Sequence, residues 1–180
     1  MPVLETADGR YVQDTTDIID FLEIDRPLYP DHTRMRELVR SCAILEAVEA
    51  AVKLHRQGVL DLAGELYRRV LAAAPDHPDA LHFFGVLCHQ TGDDDEAIRL
   101  IRKSLAVAPG QPGAWNNLGN AYTELGDPRR AVKYHEEALA IAQELGDRRL
   151  EGSHLGNLGR AHADLGDAQQ AITGQKQALA

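Results

Sequence analysis

Three copies of one short phrase constrain the fold of this chain more than any other feature. The phrase reads Leu81-His-Phe-Phe-Gly85, then Trp115-Asn-Asn-Leu-Gly119, then Leu155-Gly-Asn-Leu-Gly159. The glycines that close the three copies are 34 and 40 residues apart. Self-similarity at a period of about 20–50 residues marks a stack of structural repeats, and such stacks usually present a binding surface. The sequence therefore predicts a repeat protein that binds rather than catalyses.

From Ala47 onward the chain alternates helix-periodic stretches with Gly-Asp or Pro-rich breaks, a rhythm typical of helical hairpins. A first apolar stripe at helical spacing comprises Leu81, Phe84, Gly85 and Cys88. After Gly92-Asp93, the stripe of a second helix comprises Ala97, Leu100, Ile101, Ser104 and Leu105. This helix is predicted to end at Pro109-Gly110, because proline cannot continue a helix. One repeat is therefore one such helix pair.

These residues resemble the tetratricopeptide repeat, whose pattern runs Trp-x2-Leu-Gly-x2-Tyr, then Ala, an aromatic residue four positions later, and finally Pro. The unit that fits best contains Trp115, Leu118, Gly119, Tyr122, Gly126, Ala131 and Ala138. The other three contain Gly58, Ala63, Tyr67, Val70 and Pro75; Gly85, Gly92, Ala97, Leu105 and Pro109; and Leu155, Leu158, Gly159, Gly166, Ala171 and Ala178. The resemblance implies a mainly α fold, a right-handed α-solenoid of about four helix pairs, in which Gly and Ala let neighbouring helices approach closely.

The repeat array is predicted to occupy residues 46–180, in units of about 44–77, 78–111, 112–151 and 152–180. The third unit lacks the terminal Pro, and its second helix is predicted to run on to Gly146. This unit resembles the 40-residue subclass of the family. The chain ends at Ala180 inside the truncated last unit, without the polar closing helix that a repeat array normally carries. We therefore expect a fragment of a longer array that self-associates through its uncapped last repeat.

Residues 1–45 follow a different pattern and are predicted to form a separate segment. Val3-Leu4 and Tyr11-Val12 are short β-prone runs on either side of Asp8-Gly9, a two-residue turn signal, so a β-hairpin is predicted. A helix is predicted to follow, with Asp14 as its cap and Pro27 as its end.

This segment resembles the second half of the thioredoxin-like domain of glutathione S-transferases. The matching stretches are Pro2-Val-Leu and Gln13-Asp14-Thr15-Thr16, and both Leu28-Tyr29-Pro30-Asp31 and the stretch from Arg34 to Ala43 look like the lead into that family's helical domain. The resemblance implies that Asp14 and Thr15 stand where that family holds the γ-glutamyl end of glutathione, as a vestigial site. An ordinary helix cap is the other explanation of the same two residues. Because the family's activating side chain belongs to an earlier strand and helix that this chain lacks, no transferase activity is expected.

Composition argues against several classes of partner. The formal net charge is −9, whereas nucleic-acid binding needs clustered Lys and Arg, so no nucleic-acid partner is expected. Since no apolar run reaches the length of a signal peptide or membrane span, we expect no membrane contact and a cytoplasmic location. Cys42 and Cys88 both lie in apolar helical patterns and are predicted to be buried, reduced thiols.

Motifs for catalysis, cofactors or metals are not apparent in the sequence. His82 and His89 are seven residues apart, and His154 and His162 are eight apart, without a Cys or carboxylate at ligand spacing. The glycines at 152, 156 and 159 follow no predicted strand, so a phosphate loop is not expected there. We therefore predict a protein without catalytic residues, cofactor or metal.

Asparagines are the most informative polar residues of the array. Asn117 and Asn157 occupy the same place in their units, and Asn120 lies on the same helix face as Asn117. The array resembles the repeat region of O-linked N-acetylglucosamine transferases, in which an Asn ladder grips the backbone of an extended peptide. The other interpretation is that these amides only keep an exposed face soluble. The predicted concave groove is bordered by His82, His89, Asn116, Asn117, Asn120, Glu124, Asn157 and Arg160.

The sequence thus favours a protein–protein interaction scaffold that binds a peptide or partner helix in the concave groove. Two alternatives stay open. One is a protein derived from a glutathione-dependent transferase or isomerase, and the other is the repeat-containing accessory region of a larger glycosyltransferase.

Overall fold

The structure, a computed structural model, describes residues 4–5, 11–12 and 33–178, with side chains described over residues 41–178. The chain divides into two compact units, Met1–Ala80 and Leu81–Ala180. The helices of the described residues are α1 (Thr33–Arg56), α2 (Leu60–Ala73), α3 (Pro78–Gln90), α4 (Asp94–Val107), α5 (Pro112–Glu124), α6 (Pro128–Leu145), α7 (Arg148–Asp164) and α8 (Ala168–Ala178).

Near the N-terminus, two strands of two residues each are described. Strand β1 (Leu4–Glu5) pairs antiparallel with β2 (Tyr11–Val12), and Leu4 lies opposite Val12. A pair this short does not establish the predicted hairpin, whose Asp8-Gly9 turn lies outside the described residues. The predicted helix after Asp14 also lies outside them, so both elements stay predictions.

The first unit is built around α1 and α2, which pack against each other. Its core comprises Ala47, Val48, Val70 and Ala80, with Ile44, Val52 and Leu71 packed against them. Helix α1 begins at Thr33 and continues without a break across residues 45 and 46, where the sequence predicts a boundary between segments.

The prediction that both cysteines are buried is wrong for Cys42. Cys88 is buried, whereas Cys42 is exposed on α1. The buried residues of α1 nearby are Ala43 and Ala47, one helical turn apart, and Cys42 points away from the face that they share.

The second unit contains α4 to α8 and most of α3. Its core cluster comprises Ile101, Leu105, Ala114, Leu118, Tyr122, Ala131 and Ala161. All five residues of the stripe predicted for α4 are buried. The alanines at the predicted helix contacts are buried: Ala97 and Ala131 are 0% exposed and Ala171 is 7% exposed. This confirms that they face neighbouring helices rather than solvent.

Helices α7 and α8 approach each other through two glycines. A Cβ atom on Gly159 would lie 3.0 Å from the carbonyl oxygen of Ala171. One on Gly174 would lie 3.1 Å from the carbonyl oxygen of Leu155 and 3.2 Å from the Cα of Gly159. The two backbones are therefore in contact, and any side chain at either position would separate them. The repeat pattern predicted this role for Gly159 but not for Gly174.

Helix ends recur with the period of the repeats. Glycines with φ between +67° and +85° follow five helices, at Gly58, Gly92, Gly126, Gly146 and Gly166. At Gly126 the left-handed conformation lets the N–H of Asp127 donate to the carbonyl of Tyr122 at 2.9 Å, which satisfies a free carbonyl of α5. Side chains of aspartates then cap the following helices, namely Asp93, Asp127, Asp147 and Asp167.

The additional residues of the longer third repeat lengthen its helices. Helix α6 has 18 residues whereas α4 has 14, and α7 has 17 whereas α5 has 13. Each is therefore about one turn longer than its counterpart. The predicted stop at Gly146 is confirmed. Because Asp147 caps α7 directly after this glycine, α7 begins at Arg148, and the predicted unit boundary at residues 151 and 152 lies inside the helix.

Replacing Asp147 by Ala is expected to lower the free energy of unfolding by about 1 kcal/mol, because its carboxylate accepts from the N–H groups of Arg149 and Leu150 at 3.1 and 3.0 Å. Urea denaturation followed by circular dichroism measures the change. Asp147→Asn keeps a capping oxygen and is expected to retain most of the stability. An Asn variant as unstable as the Ala variant would show that the charge matters rather than the cap.

Candidate functional site

All eight predicted groove residues lie in the second unit, on the first helix of successive pairs. Helix α3 carries His82 and His89, α5 carries Asn116, Asn117, Asn120 and Glu124, and α7 carries Asn157 and Arg160. The structure brings several of them together across neighbouring helices, although they are far apart in sequence.

Two hydrogen bonds of the same kind connect these helices in series. The amide Nδ2 of Asn117 on α5 donates to Nε2 of His82 on α3 at 2.9 Å. The amide Nδ2 of Asn157 on α7 donates to Oδ1 of Asn116 on α5, also at 2.9 Å. In each pair, an Asn at the matching place of one repeat binds the first helix of the repeat before it. The two asparagines of the predicted ladder therefore hold neighbouring repeats together, a contact that the sequence did not predict.

Asn116 is the centre of a partly buried polar cluster. Its Oδ1 accepts not only from Asn157 but also from Nδ1 of His135 at 3.1 Å and Nδ1 of His154 at 3.2 Å. These donors come from α6 and α7, and His135 and His154 are 0% and 2% exposed. We call Asn116, His135, His154 and Asn157 the Asn116 cluster. It joins three helices through one carbonyl oxygen.

Both histidines of the Asn116 cluster are neutral at pH 7. Burial, the nearby Arg160 and His154 lower the pKa of His135 to about 4. Burial also lowers the pKa of His154, against the opposing effect of the Asp147 carboxylate. Because Nδ1 of each ring donates to Asn116, the proton of each neutral ring sits on Nδ1. The Nε2 atoms of both rings are buried and have no protein partner.

Gly119 makes room for the ring of His135. A Cβ atom on Gly119 would lie 2.6 Å from Cε1 and 2.8 Å from Nδ1 and Nε2 of that ring. His135 stands four residues after Ala131, where the repeat pattern has an aromatic residue. The signature glycine of α5 therefore packs against an imidazole. Neither His135 nor His154 was predicted as part of the site, although the polar ring at an aromatic position was the signal that could have identified His135.

The remaining predicted residues have separate environments. Nδ1 of His89 lies 2.5 Å from Oδ1 of Asp94, at the start of α4. Glu124 is exposed at the end of α5. Arg160 is also exposed, and its Nη2 donates to Oδ1 of Asn157 at 3.2 Å. Oδ1 of Asn120 is buried and has no protein partner. Asp14 and Thr15, the predicted vestigial glutathione site, lie outside the described residues.

The described part of the chain contains neither a metal-binding cluster nor a membrane-spanning helix. Among residues with described side chains, no three His, Cys, Asp or Glu residues gather closely enough to hold a metal ion. Over residues 33–178, no helix combines the length and apolar character needed to span a bilayer.

Comparisons with solved structures find proteins of similar fold. The crystal structure of MamA has a TM-score of 0.67 and 17% identity, covering 92% of this chain and 87% of that chain. PilF of Pseudomonas aeruginosa has a TM-score of 0.70 and 21% identity, covering 78% of this chain and 61% of its own. A mutant O-GlcNAc transferase of Thermobaculum terrenum has a TM-score of 0.62 and 27% identity, covering 68% of this chain but 22% of the transferase.

Comparison with family models gives a consistent result. One tetratricopeptide-repeat model matches residues 54–121 and a second matches residues 111–180. A search of curated protein sequences finds no significant match. The glutathione S-transferase resemblance of residues 1–45 is not supported by these findings, and the cytoplasmic location and self-association stay predictions. Since the two matches together cover residues 54–180, this part of the chain consists of tetratricopeptide repeats.

Proposed function

We propose that this chain is a protein-interaction scaffold, and that the polar face of α3, α5 and α7 forms the floor of a groove that binds an extended peptide. The observation that carries the proposal is the series of hydrogen bonds from His82 to Asn117 and from Asn116 to Asn157. These bonds fix side-chain amides at repeated places on consecutive first helices. A row of amides at regular spacing matches the repeating polar groups of a peptide backbone.

The internal bonds leave part of each amide for a partner. A side-chain amide has two N–H donors and one acceptor oxygen, and each ladder bond uses one donor of Asn117 or Asn157. Asn120, on the same helix as Asn117, has a buried oxygen without a protein partner. Because that oxygen is shielded from a partner, the N–H donors of this half-buried amide are the groups that would bind a backbone carbonyl of a peptide.

Selection from a library of short extended peptides, followed by affinity measurement, tests the proposal. Asn120→Ala is expected to weaken the selected peptides by roughly threefold to tenfold, the contribution of one hydrogen bond, without loss of helicity. Gln143→Ala is the matched control, because it removes an exposed amide from α6. Equal affinity of the Asn120 variant and the wild type would contradict a role of this amide in the groove.

A second candidate function is that of an accessory region of a larger glycosyltransferase. It is favoured by the 27% identity to the O-GlcNAc transferase, of which this chain covers 22%. In that case the same groove would hold a protein segment for a catalytic domain elsewhere. Sequencing the DNA on both sides of the region that encodes this chain tests this alternative. A glycosyltransferase domain in the same reading frame would support the accessory role, and its absence would favour an isolated scaffold.

A further inference from the structure

Arg160 places a positive charge on the proposed peptide-binding face. Its side chain is exposed on α7, and its described hydrogen bond goes to the neutral amide oxygen of Asn157. Among the described side chains, no Asp or Glu lies within ion-pair distance of this guanidinium. Arg130, by contrast, lies 3.1 Å from the carboxylate of Asp127. The charge of Arg160 is therefore available to a partner.

The groups beneath Arg160 add no negative charge. On α6, burial first, and then Arg160 and His154, lower the pKa of His135, so this ring carries no charge at neutral pH. Helix α5 contributes the neutral amide of Asn116. Among the described carboxylates, Asp147 at the cap of α7 acts on His154, and Asp164 lies one turn after Arg160 on the same helix. An anionic group beside Arg160 would thus meet the positive guanidinium above uncharged polar groups of α5 and α6.

Space for an incoming side chain is present one turn before Arg160. Gly156 lies on the same face of α7, because residues four apart on a helix are neighbours. A Cβ atom on Gly156 would meet no atom within 4 Å. A side chain from a bound peptide can therefore lie against the backbone of α7 at Gly156 and reach the guanidinium of Arg160.

We propose that Arg160 anchors one acidic side chain, Asp or Glu, of an extended peptide in the groove, with that side chain lying over Gly156. The proposal rests on the proposed function. Its chemistry is the paired hydrogen bonding of a guanidinium with a carboxylate, which is stronger than a bond between neutral groups. The net charge of −9 repels a run of acidic residues, so the partner that fits best is an otherwise neutral segment with one acidic side chain.

The test uses synthetic libraries of short peptides with a single fixed central residue, Glu, Gln or Lys, titrated against the full chain. The Glu library is expected to bind about tenfold or more tightly than the Gln library. Arg160→Gln is expected to abolish that preference. Arg149→Gln is the matched control, since it removes one exposed charge from the same helix and is expected to keep the preference.

The outcomes separate the two proposals. The role of Arg160 would be overturned if the three libraries bound with equal affinity. It would also be overturned if both Arg variants lost the preference for Glu to the same extent. Neither result would contradict peptide binding in the groove. Failure of every library to bind would overturn the proposed function itself. NMR titration of the His135 ring gives an independent measure, because a carboxylate at Arg160 should raise the pKa of His135. An unchanged pKa in the Glu-bound state would also contradict the proposal.

Discussion

Lowering the pH from about 7.5 to about 5 is expected to reduce the free energy of unfolding by about 2 kcal/mol through His135 alone. The pKa of this ring is about 4 in the folded chain, whereas its ordinary value is 6.5. The folded state therefore binds fewer protons than the unfolded state, so the stabilisation is complete above pH 6.5 and is lost as the pH falls towards 4. His154 acts in the same direction. Urea denaturation at a series of pH values measures the effect.

His135→Phe is the variant that isolates this contribution. Phenylalanine keeps an aromatic ring at the place where the repeat pattern has one, but it cannot take up a proton. The variant loses one of the three donors to Asn116, so we expect it to be less stable by about 1 kcal/mol at neutral pH. Its loss of stability on acidification should be smaller by about 2 kcal/mol than that of the wild type. An identical pH dependence of both proteins would show that His135 is not the titrating group.

Gly119→Ala and Gly156→Ala are expected to change stability in opposite directions, although the chemical change is the same. A methyl group on Gly119 would lie within 2.8 Å of three atoms of the buried His135 ring. Overpacking of this kind costs about 1–3 kcal/mol. A methyl group on Gly156 would meet nothing within 4 Å, so that helix should gain about 0.5–1 kcal/mol from replacing glycine by alanine.

Thermal and urea denaturation of the two glycine variants test how tightly α5 and α6 are packed. A His135→Ala change in the Gly119→Ala background should recover part of the lost stability, because it removes the ring that the methyl group meets. If Gly119→Ala and Gly156→Ala lowered the free energy of unfolding to the same extent, the two glycines would not have the different surroundings described here.

Periodic features of the fold could be predicted from the sequence. The five buried residues of α4 follow from helical spacing alone, because burial of an apolar stripe is decided within one helix. The Gly-Asp pairs likewise mark helix ends, since glycine adopts the left-handed conformation and aspartate caps the next helix. Helix α1 begins at Thr33, whereas the repeat array was predicted only from residue 46 onward, because the residues before Ala47 carry no clear signature of a repeat.

The Asn116 cluster could not be predicted in the same way. His135 and His154 are 19 and 38 residues from Asn116, so their hydrogen bonds depend on how three helices approach one another. The sequence placed Asn116 and Asn157 at the border of one predicted groove but gave no reason for a direct bond between them. Once Gly119 admits the imidazole of His135, the shared oxygen of Asn116 is the acceptor within reach.

Two-dimensional NMR of the chain, titrated with a peptide selected for binding, tests the central claim most directly. That claim is that nested helix pairs align the polar residues of the first helices on one binding face. We predict that the largest shift changes fall on Asn116, Asn120, Asn157 and Arg160, with little change at exposed residues of α6 such as Glu136. Changes concentrated on the exposed residues of α4, α6 and α8, with α5 and α7 unaffected, would contradict the account.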